Sequence, residues 1–373
     1  MSIKVCHITT AHDSDDTRIF QKECVFLAKE NDFDVFLIAP GESRKEKNVQ
    51  VIGLGEKPSS RFKRMAFLTK KALKTAVDLD ADIYHFHDPE LLTVGLKLKK
   101  MGKHVIFDSH EITSEQIKIK KYIPKLLRKT IATMYYRKES NVTKQIDAVI
   151  VPCLYDGKNW FDDRSRETVF VDNLPIISDK PKKEYVPVTR NYDLCTIGSL
   201  TAERGITELL EARKIANCTL LMGGDFSNEE YEAYLIEKGL MKDVKYVGHC
   251  TMDKVINYYN NSKIGISTIL PVGQYLRIGN LPTKVYEFMS MSIPVILSDL
   301  PSAKKAISEY KFGITVNPEK PEEIAKAIDY LLKNPDCAQE YGREGRRAIE
   351  EKYNWEMEVK KITVLYRRIM GKN

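Results

Sequence analysis

Short apolar runs rich in β-branched residues alternate with segments of helical period through the first half of the chain. The runs predicted as strands are Ile3–Thr10, Val35–Ala39, Val49–Leu54, Ile83–Phe86, His104–Phe107, Ala148–Val151 and Thr168–Val171. Segments such as Ile19–Lys29 and Pro89–Lys100 have the spacing of helices. This alternation predicts βαβ units and a parallel sheet that is covered on both faces.

The same alternation resumes after a segment rich in proline and charge, "NLPIISDKPKKEYVPVTRN". The strands predicted here are Tyr192–Ile197, Thr219–Met222, Val244–Val247, Ile264–Thr268 and Ile293–Leu297. Helices are predicted over Glu203–Lys214, Asn228–Lys238 and Met252–Asn260, from Pro282 onward, and as a helical tail to the end of the chain.

The chain is therefore predicted to be an α/β protein with two Rossmann-like, doubly wound domains. We predict a first domain over residues 1–173, a linker over 174–190 and a second domain over 191–353. Ligands of such folds bind outside the carboxyl ends of the strands. We therefore expect a ligand cleft where the two domains face each other.

Composition narrows the class of protein without naming a function. The 373 residues suffice for two cores, and 43% hydrophobic with 30% charged content is typical of soluble globular proteins. The opening "MSIKVCHITT" resembles a strand more than a signal peptide, and no apolar run approaches the ~18 residues of a spanning helix. Seven scattered cysteines without CxxC spacing favour reduced thiols in a cytosolic protein over zinc or disulfides.

The loop after the first predicted strand argues against a dinucleotide cofactor. Its sequence, "TAHDSDDTRIF", contains no glycine. Binding of a pyrophosphate at this turn needs the glycines of GxGxxG for close backbone approach. The NAD hypothesis is therefore weak.

Histidines and carboxylates gather where the fourth and fifth strands end, in "IYHFHDPELL" and "VIFDSHEI". Strand alternation puts His85 and His87 on one side of their strand. Asp88 before Pro89 is a good helix N-cap. At a strand's carboxyl end His110 favours a site role, with a structural role as the alternative. A metal site is disfavoured, because no second conventional ligand pair is present.

Two features of the second half suggest a site for an anionic ligand. In "TIGSLTAERGITELLEA" a glycine follows a strand and Arg204 lies near a helix start, which is typical of a phosphate site. A surface arginine beside an ordinary turn is the alternative. Another glycine-rich strand exit is Gly223-Gly224. In "NLPTKVYEFM" Glu287 fits a carboxylate that accepts two ribose hydroxyl hydrogen bonds, or else a solvated helix residue.

Two basic stretches leave a membrane role open. Lys57–Lys74 contains no acidic residue, and "IKIKKYIPKLLRKTIATMYYRK" mixes lysines and arginines with aliphatic and aromatic residues. Such segments can lie on anionic lipid, or can be packed helices with a charged outer face. The net charge of +7 permits an anionic partner without choosing one. Nucleic acid is disfavoured, because no binding module for it is visible.

An ordered series of motifs resembles glycosyltransferase family 4, the retaining, nucleotide-sugar-dependent enzymes of the GT-B fold. The series runs "HDSDDTRIFQKE", "YHFHDPEL", "FDSHE", "GSLTAERGITELLEA", "YVGHC" and "NLPTKVYEFMSMSIPVILSD", and it spans nearly the whole chain. The resemblance implies a donor-binding second domain and an acceptor-binding first domain. It also implies that residues 354–373 form a helix that packs back on the first domain.

The resemblance assigns expected roles to individual residues. Glu287 matches the ribose-binding second glutamate of the family's Glu-x7-Glu motif, but Gly279 occupies the position of the first, with Asn280 beside it. Asn173 matches the asparagine at the domain boundary. The other implied roles are a catalytic role for His110, donor phosphate binding for Ser199, Arg204 and Leu281, donor sugar binding for Gly279 and Asn280, nucleobase binding for Val247 and His249, and acceptor contacts for Asp16, Arg18, His87 and Asp88.

Two departures bear on the expected chemistry, because Ser199 stands where the family's phosphate-binding arginine is expected and the first motif glutamate is missing. No carboxylate is placed as a covalent nucleophile, which favours front-face displacement, and no metal or other cofactor is expected, since Arg204 and helix N-termini can stabilise the diphosphate. The implied partners are a nucleotide-diphosphate sugar and a saccharide or lipid-linked saccharide, in bacterial surface polysaccharide or glycolipid assembly. The alternatives are a nucleotide-sugar epimerase and a catalytically silent partner subunit.

Overall fold

The computed structural model describes residues 2–119, 123–177 and 190–372. The chain forms two contact units. The first comprises Met1–Asn173 and Trp355–Asn373, and the second comprises Leu174–Asn354. Within the described residues, no helix is both long and apolar enough to cross a membrane.

The first unit is built on an eight-stranded sheet. Its strands are β1 (Ile3–Ile8), β2 (Phe33–Ala39), β3 (Arg44–Glu46), β4 (Val49–Gly53), β5 (Ile83–Phe86), β6 (His104–Asp108), β7 (Ala148–Val151) and β8 (Thr168–Phe170). They are ordered β3-β4-β2-β1-β5-β6-β7-β8. Every pair is parallel except the edge pair β3–β4, which is antiparallel.

Helices cover both faces of this sheet. A π-helix, Thr17–Cys24, continues directly into α1 (Val25–Leu27), and a 3-10 turn, Pro89–Leu91, follows β5. The others are α2 (Arg61–Leu79), α3 (Leu92–Lys100), α4 (Thr113–Ile119), α5 (Lys125–Thr143) and, from the end of the chain, α13 (Trp355–Ile369). Trp355, Ile362 and Tyr366 of α13 join the hydrophobic core on one face of the sheet.

The second unit has a six-stranded, fully parallel sheet. Its strands are β9 (Tyr192–Ile197), β10 (Leu220–Gly223), β11 (Val244–Tyr246), β12 (Ser262–Ser267), β13 (Val295–Ser298) and β14 (Gly313–Val316), in the order β11-β10-β9-β12-β13-β14. The helices are α6 (Ile206–Ala216), α7 (Glu229–Glu237), α8 (Met252–Asn260), α9 (Thr283–Ser290), α10 (Pro301–Tyr310), α11 (Pro321–Lys333) and α12 (Pro335–Glu351), with 3-10 turns at Ala202–Arg204 and Gly273–Leu276.

The alternation of strands and helices predicted from the sequence is confirmed, with exceptions at β14 and β3, and the predicted start of the linker is also corrected. The predicted helical tail is wrong between α10 and α11, where β14 extends the sheet. The charged strand β3 was not predicted. Leu174, expected to open the linker, is instead buried in the core of the second unit. Residues 178–189, most of the predicted linker, lie outside the described residues.

Each sheet has one point at which the direction of strand addition reverses. In the first sheet this point lies between β1 and β5, and in the second it lies between β9 and β12. The carboxyl ends of the two strands that flank such a point leave a crevice that binds ligands in open α/β sheets. The residues that follow β1, β5, β9 and β12 are therefore the first to examine.

Candidate active site

Asp88, just after β5, organises the loop that follows β1. Its Oδ2 accepts hydrogen bonds from the Thr10 amide at 2.6 Å, the Ala11 amide at 3.0 Å and the Thr9 hydroxyl at 2.9 Å. Its Oδ1 lies 3.0 Å from Nδ1 of His12. Burial alone would raise the pKa of Asp88, but these hydrogen bonds outweigh it and hold that pKa well below its usual range.

The predicted capping role of Asp88 is therefore only half right. Asp88 occupies the N-cap position of the 3-10 turn that begins at Pro89, but its side chain makes no capping hydrogen bond. The carboxylate lies against the loop after β1, because the Thr10 and Ala11 amides of that loop donate hydrogen bonds to it. This placement favours a structural role for Asp88 over the predicted acceptor contact.

Arg18 is buried inside the first unit. Its guanidinium lies 3.0 Å from Oδ2 of Asp108 and 3.1 Å from Oε1 of Glu23. Burial raises the pKa of Glu23, whereas that of Asp108 is held well below its usual range because the attraction of Arg18 outweighs burial. A buried guanidinium with two carboxylate partners favours a structural role for Arg18 over the predicted acceptor contact.

Four of the six imidazoles of the first unit and one tyrosine form a hydrogen-bonded series, which we call the histidine chain: His85, Tyr366, His7, His87 and His110. The Tyr366 hydroxyl lies 2.7 Å from Nδ1 of His85 and 3.2 Å from Nε2 of His7. Nδ1 of His7 lies 3.0 Å from Nε2 of His87, and Nδ1 of His87 lies 3.2 Å from Nε2 of His110. The prediction that His85 and His87 share one side of β5 is confirmed, since their rings stack 4.7 Å apart.

His110 is the one member of the histidine chain that reaches the surface. Its side chain is 22% exposed, whereas His7, His85 and His87 are buried. Burial lowers the pKa of His87 to about 4 and those of His7 and His85 well below the usual range. The predicted site position of His110 at the end of β6 therefore fits the geometry, whereas the burial of His87 disfavours direct contact with an acceptor.

An open pocket lies over the loop after β1. Its volume is ≈ 400 Å³, and it is lined by residues 11–13, 15–17 and Lys57. Asp16, predicted on the acceptor side, lines this pocket while its Oδ1 accepts from the amides of Arg18 and Ile19, each at 2.9 Å. The ring of His12 lies 5.1 Å from that of His110, so the pocket adjoins the exposed end of the histidine chain.

Among the residues that the structure describes, two groups of side chains in the first unit have ligand atoms close enough together to bind one metal ion. They are His7, Glu23, His85 and His87, and His87, Asp108 and His110. The nitrogen atoms of His7 and His87 are already occupied by hydrogen bonds within the histidine chain. The metal-free site expected from the sequence stays a prediction.

In the second unit, the turn after β9 brings two cations together. Gly198 has φ +138°, and a Cβ there would lie 3.5 Å from Nζ of Lys284 and 3.8 Å from Nη1 of Arg204. A Cβ on Gly205, which follows the 3-10 turn, would lie 1.8 Å from the carbonyl oxygen of Thr268 at the end of β12. Glycine at both positions thus keeps the backbone close and the cations near the strand ends.

Lys284 was not predicted from the sequence as a site residue. Its Nζ donates a 3.1 Å hydrogen bond to the Thr196 hydroxyl on β9. Burial and then the nearby charge of Arg204 lower the pKa of Lys284 to about 8. No described carboxylate lies within ion-pair distance of either Lys284 or Arg204. The one sequence signal for Lys284 was its position three residues before Glu287 on α9, because residues at that spacing lie on the same face of a helix.

Glu287 is held in place by the neighbouring helix α8. Its Oε2 accepts a 3.0 Å hydrogen bond from the hydroxyl of Tyr259, a buried residue whose pKa is raised by burial and by the adjacent carboxylate. The ring of Tyr259 packs 4.4 Å from that of Phe288. Glu287 is half-buried, so the alternative of a fully solvated helix residue does not fit the structure.

The remaining predicted donor residues lie around the same strand ends. Ser199 and Gly279 are exposed, and Asn280 is half-buried. The side chain of Leu281 packs in the core, so only its backbone is suited to a phosphate. Val247 follows β11, and its amide donates to the carbonyl of Met222 at 3.0 Å. His249 is exposed, with Nδ1 2.8 Å from Oδ2 of Asp225.

Comparison with solved structures identifies the architecture. The fold is GT-B. Sucrose-phosphate synthase from Thermosynechococcus elongatus superimposes with a TM-score of 0.71 at 17% identity, covering 99% of each chain. A crystal structure of Anabaena HepE in complex with UDP-glucose superimposes with a TM-score of 0.69 at 14% identity, covering 98% of this chain and 100% of that one. The predicted fold class, with two Rossmann-like domains, is confirmed.

Sequence comparison adds a family match for the second unit. Residues 178–348 match the family model of the glycosyl transferases group 1. The chain is 24% identical over 179 residues to an alpha-D-kanosaminyltransferase from Streptomyces kanamyceticus, which covers 46% of this chain and 45% of that protein. Alignments with the curated relatives span 44–62% of those proteins' own lengths.

Proposed function

We propose that this protein is a retaining glycosyltransferase that moves a sugar from a nucleotide-diphosphate sugar to an acceptor hydroxyl. The observation that carries the proposal is the cation pair at the Gly198 turn, Arg204 and Lys284, with the carboxylate of Glu287 one helical turn from Lys284. Two cations with no carboxylate partner among the described residues suit a diphosphate, and a carboxylate held by a neighbouring hydroxyl suits two vicinal ribose hydroxyls. The group 1 match over residues 178–348 supports the same assignment.

In the proposed reaction the sugar–phosphate bond breaks as the acceptor hydroxyl attacks from the same face. Negative charge then develops on the leaving diphosphate, where Arg204 and Lys284 stabilise it. The leaving phosphate takes the acceptor proton, so no strong protein base is needed. His110 contacts the donor sugar and fixes its orientation. Because side chains supply both positive charges, we propose a metal-independent enzyme.

We propose UDP as the donor nucleotide and a hexose as the transferred sugar. The support is indirect, from the UDP-glucose complex of a protein with the same fold. Val247 and His249 would contact the base. Gly279 replaces the glutamate expected at the donor sugar, and Asn280 would donate or accept hydrogen bonds to the sugar in its place.

We propose that the acceptor is a lipid-linked saccharide of bacterial surface polysaccharide or glycolipid assembly, reached from the inner face of the membrane. The support lies in α5, where Leu126 is 94% exposed and Leu127 and Met134 are also exposed. Lys125 and Lys129 lie on the same helix and are exposed too. Exposed apolar side chains among lysines are typical of helices that rest on anionic lipid.

Two other functions compete with transfer, and product analysis separates them. An epimerase of the same fold would convert a nucleotide sugar without any acceptor, whereas a transferase shows only slow hydrolysis. A silent partner subunit, suggested by Ser199 and Gly279 at positions of expected site residues, would neither convert donor nor transfer sugar. Incubation of a donor panel with and without lipid-linked acceptors distinguishes all three, because mass spectrometry detects the transfer product and proton NMR detects a change of configuration in the nucleotide sugar.

Thermal-shift measurements with UDP, GDP, ADP and their sugars test the enzyme proposal itself. We expect the melting temperature to rise with one nucleotide diphosphate, because a ligand that binds only the folded state stabilises it. A flat response to the whole panel would remove nucleotide-sugar transfer from consideration.

Vesicle flotation tests the membrane proposal separately. We expect the protein to float with anionic vesicles and the double variant Leu126→Asp/Leu127→Asp to stay in solution. Ile236→Asp, on α7 of the second unit, changes an exposed apolar residue elsewhere and serves as the control. If the wild type stays in solution with anionic vesicles, the proposed contact of α5 with the membrane is contradicted.

A further inference from the structure

The geometry of the histidine chain restricts where its ring protons can lie. His7 and His87 each use both ring nitrogens: His7 toward Tyr366 and His87, and His87 toward His7 and His110. A neutral imidazole has one N–H and one lone pair. Each of these rings must therefore donate on one side and accept on the other.

Because each ring donates on one side and accepts on the other, the ring protons of the histidine chain have just two possible arrangements. In one, every imidazole carries its proton on Nδ1 and donates toward His110. In the other, every imidazole carries its proton on Nε2 and donates away from His110. A mixture would set two N–H groups or two lone pairs against each other at 3.0–3.2 Å. The rings therefore adopt the same tautomer together.

The Tyr366 hydroxyl selects between the two arrangements. Its contact with Nδ1 of His85 is 2.7 Å, and its contact with Nε2 of His7 is 3.2 Å. Hydroxyl donors make shorter hydrogen bonds than ring N–H donors do. The hydroxyl thus donates to His85 and accepts from Nε2–H of His7, which leaves the buried N–H on Nε2 of His85 without a partner.

We propose that the histidine chain fixes His110 in the Nε2–H tautomer, so that Nδ1 of His110 accepts a hydrogen bond from the ligand. Nε2 of His110 donates inward to His87, and His110 is the one ring of the histidine chain that reaches the surface. Tyr366, His7 and His87 are then positioning residues, which act on a ligand only through His110. Tyr366 belongs to α13 and lies more than 250 residues from His110 in sequence.

The chemical consequence concerns what His110 can recognise. An imidazole with a lone pair on the exposed nitrogen accepts from a sugar hydroxyl and cannot donate to a ring oxygen or a phosphate. This consequence rests on the proposed transferase function, whereas the tautomer itself does not. The two can therefore fail separately.

Nitrogen-15 NMR of histidine-labelled protein tests the proposal directly. Long-range proton–nitrogen spectra distinguish Nδ1–H from Nε2–H rings, and the protein has only seven histidines to assign. We expect His7, His85, His87 and His110 to show the Nε2–H pattern with no averaging. An Nδ1–H pattern at His110, or different tautomers within the four, would overturn the proposal. Zinc uptake that removes their ring N–H signals would overturn it too.

Tyr366→Phe tests whether the hydroxyl sets the tautomer. The substitution keeps the ring but removes the group between His85 and His7, so we expect His110 to become a mixture of both tautomers. Tyr135→Phe removes a hydroxyl that donates to Glu139 at 2.9 Å, outside the histidine chain, and should leave His110 unchanged. An unchanged His110 in Tyr366→Phe would contradict the selecting role of Tyr366.

Kinetics supply a second readout once a donor and an acceptor are known. We expect Tyr366→Phe to lower kcat by about three- to tenfold with little change in KM, as one misdirected neutral hydrogen bond predicts. Loss of thermal stability alone, with kcat and the His110 spectrum intact, would make Tyr366 a purely structural residue and overturn the proposal.

Discussion

The two sheets reverse direction in the same way, yet the crevices at their carboxyl ends are chemically opposite. After β1 and β5, carboxylates, imidazoles and Arg18 are buried and pair with one another. After β9 and β12, glycines allow the backbone to approach closely, and no carboxylate of the described residues lies within ion-pair distance of Arg204 or Lys284 beside the Gly198 turn. The same topology thus supports two kinds of site: one that fixes the ring of His110, and one whose cations can bind an anion.

This difference teaches where charge is structural and where it is available to a ligand. A buried charge with a satisfied partner contributes to specificity of folding and little to binding. A cation that is half-buried beside a glycine turn costs stability and recovers that cost when an anion binds. Removing a charge should therefore affect folding in the first unit and ligand binding in the second.

The largest expected effect is on folding of the first unit. Asp108→Ala leaves the buried guanidinium of Arg18 without its 3.0 Å carboxylate partner, so we expect the free energy of unfolding to fall by about 3–5 kcal/mol. Asp299→Ala removes one member of the exposed Asp299–Lys304 pair, 2.9 Å apart, and should cost at most about 0.5 kcal/mol. Urea unfolding measures both, and equal losses would abolish the contrast between the two charges.

The next effect is on ligand affinity of the second unit. Arg204→Ala should weaken UDP binding by about 1.5–3 kcal/mol, the range for charge-assisted hydrogen bonds. Uridine carries no phosphate, so its affinity should not change. Arg347→Ala, at an exposed arginine of α12, is the control. Calorimetry with both ligands decides, and an equal loss for UDP and uridine would show that Arg204 does not bind phosphate.

The smallest effect is a pH dependence. Because the pKa of Lys284 is lowered to about 8, its ammonium loses its proton as pH rises through 8, and bound phosphate favours the charged form. UDP affinity should therefore fall roughly fourfold between pH 7 and 8.5. In Lys284→Met it should be weaker and independent of pH over that range. The same pH slope in both proteins would exclude Lys284 as the titrating group.

Strands and the crevice positions were predictable from sequence because parallel strands in covered sheets are continuous apolar runs. Charged β3 lacks this signal, since it forms only by pairing with β4 at the sheet edge. Strand β14 is four residues long and lies between two helices, so its short apolar run cannot be distinguished from a helical segment by sequence alone. Tertiary pairing decides both.

The roles of charged residues were less predictable than their positions. Arg18 follows a loop-like sequence and Asp88 follows a strand, and nothing local shows that Asp108 contacts Arg18 or that the amides after β1 contact Asp88. Lys284 resembles any solvated helix lysine until Gly198 and Arg204 come beside it in the fold. The histidine chain joins residues of β1, β5 and α13, and no spacing in the sequence reveals that contact.

Calorimetric titration of nucleotide diphosphates into the wild type and Glu287→Ala tests the central claim most directly. We expect the wild type to bind one of UDP, GDP and ADP, and Glu287→Ala to bind it about 1.5–3 kcal/mol more weakly because the ribose loses its carboxylate. Ser290→Ala, on the same helix, should bind like the wild type. No binding to any nucleotide, or unchanged affinity in Glu287→Ala, would contradict a nucleotide-sugar site in the second unit.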